Sequence, residues 1–116
     1  MTTPLTTLGA AYRYVATTKR VIDGDTYELR VDLGFKVYVE IPIRLYGWSC
    51  PELSTAAGQA AALAAHALLD GKALVIESYK SQQTFARWLA TVWVNGESVG
   101  ELLERQGVAH RGSKVG

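Results

Sequence analysis

From Phe35 to Tyr46 the chain alternates, with Val37, Val39, Ile41, Ile43 and Leu45 on one side and Lys36, Tyr38, Glu40 and Arg44 on the other. A period of two belongs to a strand covered on one face and wet on the other, so this stretch demands a sheet with a core behind it. Pro42 interrupts the run and cannot donate to a ladder, which predicts an edge position or a bulge at that point. Upstream, Tyr12 to Ile22 is rich in β-branched and aromatic residues and predicts a strand. The Asp23-Gly24 pair turns it into a second strand, Thr26 to Val31, with Gly24 supplying the permissive backbone. Asp32-Leu33-Gly34 is expected to make the next turn.

The character of the chain changes after Pro51-Glu52. Ser54 to Asp70 is alanine-rich and predicts a helix, with a hydroxyl residue as N-cap and Gly71 at its C-terminal end. Ala60, Leu63, Ala67 and Leu68 are its expected buried stripe, and His66 reads as an ordinary helical histidine. Ala73 to Ser78 and Arg87 to Val94 predict two more strands around a polar loop, Tyr79 to Ala86. Asn95-Gly96 is a turn, and Ser98-Val99-Gly100-Glu101 matches a capping box for a short last helix ending at Gly107. The expected class is therefore α+β, mainly β. Five strands, with a helix between the third and fourth and a short C-terminal helix, follow the order of a Greek-key barrel of the oligonucleotide-binding (OB) type.

At 116 residues, 48% hydrophobic and 20% charged, the chain has the balance of one globular domain and too little length for two. That domain is expected over residues 11–112, between a Thr-rich leader at 1–10 and a short tail at 113–116. A formal charge of +1 excludes a global positive field, so any affinity for nucleic acid must come from local clustering. Cys50 is the one cysteine, which excludes an internal disulfide and a multi-cysteine zinc site. No window approaches the ~18 apolar residues of a membrane span, and no basic-then-apolar segment opens the chain. The expectation is a soluble, intracellular protein with no membrane partner.

Two acidic stretches stand out. Val21-Ile22-Asp23-Gly24-Asp25-Thr26 sets two carboxylates around a glycine, and Arg44-Leu45-Tyr46-Gly47-Trp48-Ser49-Cys50-Pro51-Glu52 joins an arginine to another carboxylate. Taken alone, these are a plain turn and a structural ion pair such as Arg44 with Glu52. Together with Arg87 before an apolar strand and Glu101 to Ala109 (ELLERQGVA), in this order, they resemble the staphylococcal nuclease, or thermonuclease, family over about Tyr14 to Ala109.

The resemblance implies a nuclease that hydrolyses phosphodiester bonds of DNA or RNA with little sequence preference. Such chemistry must neutralise the phosphate, activate water and stabilise charge in the transition state. By resemblance Glu52 is the general base, Arg44 and Arg87 grip the phosphate, and Asp25 is a carboxylate ligand of Ca²⁺. Ser49 and the backbone carbonyl of Cys50 complete the implied metal set, with Asp23 assisting through a bridging water. Ser49 stands where the family has an aspartate, and one fewer carboxylate implies weaker Ca²⁺ binding. Trp48, Tyr46 and Phe85 are candidates for stacking on bases, with burial at the barrel end the alternative for Trp48. Two other readings accompany the nuclease: a barrel that binds nucleic acid without turnover, and a scaffold domain.

Overall fold

The computed structural model describes residues 11–83 and 88–112, with the side chains of residue 11 and residues 79–83 left aside. The expected leader and tail lie outside this range. In chain order the elements are β1 (Ala11–Asp23), β2 (Thr26–Gly34), β3 (Val37–Leu45), β4 (Trp48–Ser49) and α1 (Ala56–Leu69). They are followed by β5 (Leu74–Gln83), β6 (Trp88–Val94), β7 (Glu97–Ser98), α2 (Val99–Arg105) and β8 (His110–Arg111). Neighbouring strands run β3-β2-β1-β5-β6-β7. A parallel pairing of β3 with β6, Ile43↔Trp88 to Leu45↔Ala90, closes five of them into a barrel. Over the described residues the fold is mainly β, a closed five-stranded barrel with two helices.

Inward-facing residues alternate along most of β2 and along β6, whereas β3 ends with Ile43, Arg44 and Leu45 all buried, so Arg44 does not lie on the wet face its place in the alternation predicts. Tyr27, Leu29, Ile43, Leu45, Leu74, Ile76 and Val92 are at most 2% exposed. Closure needs curvature, and β1 obtains it from irregularities between Thr18 and Arg20 and between Val21 and Asp23. Pro42 pairs with Glu28 on β2 just before the β6 pairing begins at Ile43. Here β3 has one neighbour, so the missing N–H costs no ladder bond.

Two expectations about turns meet different outcomes. Asp23-Gly24 does join β1 to β2, but Gly24 owes its place to packing: a Cβ there would lie 2.8 Å from Ala61 Cβ and from Cys50 Cβ and Sγ. The second turn sits later than Asp32-Leu33-Gly34. β2 runs on to Gly34, and the chain reverses through Phe35 (φ 57°) and Lys36 (φ 62°). Asp32 Oδ1 accepts from Gly34 N–H at 2.8 Å, and the ladder is irregular between these residues, so the turn-forming residues serve a bulge below the turn. Two left-handed non-glycine residues cost roughly 1–2 kcal/mol each.

α1 starts where expected, capped by Thr55, whose Oγ1 accepts from Gly58 N–H at 2.9 Å and donates to the Glu52 carbonyl at 2.7 Å. Its buried face is Gly58, Ala61, Ala65 and Leu69, a correction to the expected stripe, since Leu63 is 71% exposed. In an alanine-rich helix several stripes look alike. Gly58 decides, because a Cβ there would lie 1.7 Å from the Glu52 carbonyl oxygen. Fully burying a leucine contributes roughly 1.5–3 kcal/mol, so Leu69 carries more of the docking than the alanines. β5 also runs further than predicted, to Gln83, through part of the expected loop. Ser98 caps α2 by accepting from Glu101 N–H at 3.3 Å, as the capping box predicts. Among the described residues no helix is long and apolar enough to cross a membrane.

Candidate functional site

The two acidic stretches meet at the end of β3. Asp25 closes the β1–β2 turn, where its N–H donates to Asp23 Oδ1 at 3.1 Å, and its carbonyl accepts from Leu45 N–H at 2.8 Å. That backbone bond ties the turn to the last residue of β3 and sets Asp25 beside the chain leaving toward Cys50. The Cys50 N–H donates to Asp25 Oδ2 at 3.0 Å, and Thr26 Oγ1 donates to Asp25 Oδ1 at 3.2 Å. Arg44, paired in register with Thr26, brings its Nη2 to 3.5 Å from Asp25 Oδ2.

Asp25 is 1% exposed and Arg44 8%, so this is a buried pair of opposite charges. Its geometry is not that of a hydrogen bond, and Arg44 Nη2 is buried with no hydrogen-bond partner. A buried donor left unmet costs about 1–3 kcal/mol. Such a guanidinium favours any rearrangement that supplies an acceptor oxygen. Glu52, two residues beyond Cys50, is exposed, and its backbone carbonyl is fixed by the Thr55 cap. The Arg44–Glu52 ion pair considered from sequence gives way to Arg44–Asp25.

Tyr27 supports the floor of the site. Its hydroxyl donates to the Gly24 carbonyl at 2.6 Å from a wholly buried position. Burial above all, with Cys50, Asp25 and Asp23 adding, pushes the phenol well above its usual 10.0.

Ser49 is 2% exposed, and its hydroxyl donates to the Gly112 carbonyl at 2.9 Å. Gly112 N–H returns a bond to the Gly47 carbonyl at 2.8 Å, and β4 pairs with β8 through Trp48↔Arg111 and Ser49↔His110. A serine at this position thus anchors the C-terminal strand. Trp48 is 8% exposed, with Arg111 4.7 Å from its ring centroid and its Nε1 donating to Glu104 Oε1 at 3.4 Å. A Cβ on Gly100 would lie 2.3 Å from the ring. Trp48 is thus buried under α2, the alternative the sequence left open for it beside stacking on a base. Tyr46 stays 40% exposed beside it. His66 is exposed on α1. Arg87 and Phe85 lie outside the described residues.

Ca²⁺ takes about six to eight oxygen ligands. The described donors do not fit it: the one inward carboxylate, Asp25, is committed to Cys50, Thr26 and Arg44, and the Ser49 hydroxyl to Gly112. No group of three or more His, Cys, Asp or Glu that could hold a metal occurs among the described residues.

Sequence reasoning missed Thr26 as a partner of Asp25 and the 110–112 segment as the cover of β4. The first was legible as a hydroxyl adjoining the carboxylate. The second was not, since a two-residue strand leaves no periodicity to detect. No protein-family model matches this chain, and no curated protein matches it in sequence.

Proposed function

We propose that this chain is a nuclease of the staphylococcal nuclease type, built on an OB-type Greek-key barrel and hydrolysing phosphodiester bonds of DNA or RNA. Arg44 and Arg87 hold the phosphate, and Glu52 takes the proton of the attacking water. The observation that carries this reading is the convergence of Arg44 and Cys50 N–H on the buried Asp25 carboxylate, with Glu52 exposed two residues beyond Cys50. A guanidinium there matches the planar acceptor geometry of a phosphate better than a lysine would. The calcium implied by the resemblance receives no step, because the described donors do not fit it.

One specific observation favours a second reading, a barrel that binds nucleic acid without cutting it. Asp25 is sequestered by its neighbours, and Ser49 is spent on Gly112. Binding of this kind is salt-sensitive and needs no metal.

The deciding experiment incubates purified wild type and Glu52→Ala with single-stranded DNA, denatured DNA and RNA. Ca²⁺, Mg²⁺ and Mn²⁺ are titrated against a chelator, with oligonucleotide anisotropy followed in parallel. The nuclease reading expects cleavage that falls by about 100-fold or more in the variant. Equal cleavage by both proteins removes Glu52 as the base. Binding without cleavage at every metal level leaves the second reading.

A further inference from the structure

We propose that the 110–112 segment is an autoinhibitory strap: it lies over the Trp48 ring, and its release offers that ring to a base of single-stranded nucleic acid. This rests on the reading of the barrel as one that engages nucleic acid, and it gives Trp48 a part that the closed form withholds. Two sets of contacts hold the ring, and they differ in kind. The first is deep. Val99 and Leu103 of α2 are wholly buried, and Gly100 comes so close that a Cβ there would lie 2.3 Å from the indole. That contact cannot give without unpacking the helix.

The second set is shallow. The Arg111 guanidinium lies 4.7 Å from the ring centroid and its Nη2 3.5 Å from Glu104 Oε1, with these two side chains 63% and 41% exposed. Contacts made in water like these contribute little. β8 is two residues long and exposed, and its pairing with β4 is supplemented by Ser49 Oγ donating to the Gly112 carbonyl and Gly112 N–H to the Gly47 carbonyl. A short ladder facing solvent belongs to the low-stability end of a fold, where opening needs no global unfolding.

A guanidinium and a nucleobase compete for the same π-face, so Arg111 holds the place a base would take. The loop that carries Trp48 leads from Arg44 to Cys50, whose N–H meets Asp25 Oδ2 at 3.0 Å. An aromatic platform and an arginine on one loop are the two features that single-strand binding combines. The Gly100 contact and the indole N–H bond to Glu104 do not depend on Arg111, so the ring keeps its seat when the strap leaves. A ligand that binds only the open form loses apparent affinity by the open fraction, so loosening the strap strengthens binding. The sign is diagnostic: removing the Arg111 charge should tighten a polyanion, whereas removing a cation that touched phosphate would weaken it.

Anisotropy of a labelled oligothymidylate, at fixed salt with chelator present, tests this on the wild type, on Arg111→Ala and on Ser49→Ala, which cuts the other tie. The same three are made with Trp88→Phe and Trp93→Phe, leaving Trp48 as the one tryptophan. Arg111→Ala is expected to bind about fivefold tighter than the wild type, with Ser49→Ala following in the same direction. The oligonucleotide should quench Trp48 emission more in these variants than in the wild type. Binding by Arg111→Ala that equals or falls below the wild type overturns the proposal. So does tighter binding with no added quenching of Trp48, and so does the absence of binding by every protein. Cleavage is read separately, from wild type against Glu52→Ala with metal present. A failed strap therefore leaves the nuclease reading standing, and a failed nuclease leaves the strap to be judged on binding alone.

Discussion

β2 links two turns that solve the same problem in opposite ways. At its start, the 23–26 turn is packed shut: Gly24 is buried against Ala61 and Cys50, Tyr27 bonds the Gly24 carbonyl, and Cys50 N–H bonds the Asp25 carboxylate that faces Arg44. At its end, the 34–37 turn stands open among the described residues. A Cβ added to Gly34 would have no atom within 4 Å, and Phe35 stands in water. Glycine is needed at Gly24 for close approach and at Gly34, with φ 90°, for handedness. The closed end can hold chemistry because its side chains have one arrangement. The open end keeps apolar surface that a closed end would have buried.

Substitutions sharpen that contrast, the largest effects falling at the closed end. Asp25→Ala leaves Arg44 buried without a counter-charge and should cost about 3–5 kcal/mol in urea unfolding. Asp25→Leu combined with Arg44→Met should recover most of it, because the cost lies in the uncompensated charge. A single-variant loss below about 1 kcal/mol would show the pair to be solvated.

Gly24→Ala forces apart the turn, α1 and Cys50 and should cost about 1–3 kcal/mol. Gly34→Ala has room and meets only the left-handed backbone, so about 1 kcal/mol is expected. Equal losses at the two glycines would break the distinction between the ends.

Tyr27→Phe removes a buried donor from the Gly24 carbonyl and should cost about 1–2 kcal/mol at neutral pH. The pH dependence follows from the raised phenol. The folded state holds the proton more tightly than the unfolded chain does, so this contribution is complete below pH 10.0 and is lost as pH rises from there toward the folded value. Alkaline unfolding should be steeper in wild type than in Tyr27→Phe. Parallel curves would mean that Tyr27 ionises as freely when folded.

The smallest effect, and the one of opposite sign, belongs to the open end. The 95–96 turn reverses through Asn95 (φ 52°) and Gly96 (φ 79°), the residue pair such a turn prefers. Phe35→Asn with Lys36→Gly should therefore raise stability by about 1 kcal/mol. A destabilised double variant would mean that Phe35 is packed in the free protein.

The sequence by itself determined the five barrel strands, the main helix and its hydroxyl cap, the 95–96 turn and the candidate residues of both acidic stretches. Period-two alternation, capping chemistry and Asn-Gly are local signals that need no partner to be recognised. It did not determine which stripe of α1 is buried, because alanines on every side look alike until the Glu52 carbonyl selects Gly58. Nor did it determine the fate of Ser49 and Trp48, which a segment some 60 residues later covers. The Asp32-Leu33-Gly34 signal was real but belonged to a bulge, since register with β3 placed the reversal at Phe35 and Lys36. Barrel closure through Ile43↔Trp88, and with it the meeting of Asp25 and Arg44 as a buried pair, was decided only by the tertiary structure. The reason is physical: pairing across distant segments, and the desolvation that gives a buried charge its energy, exist only when the whole chain is folded around them.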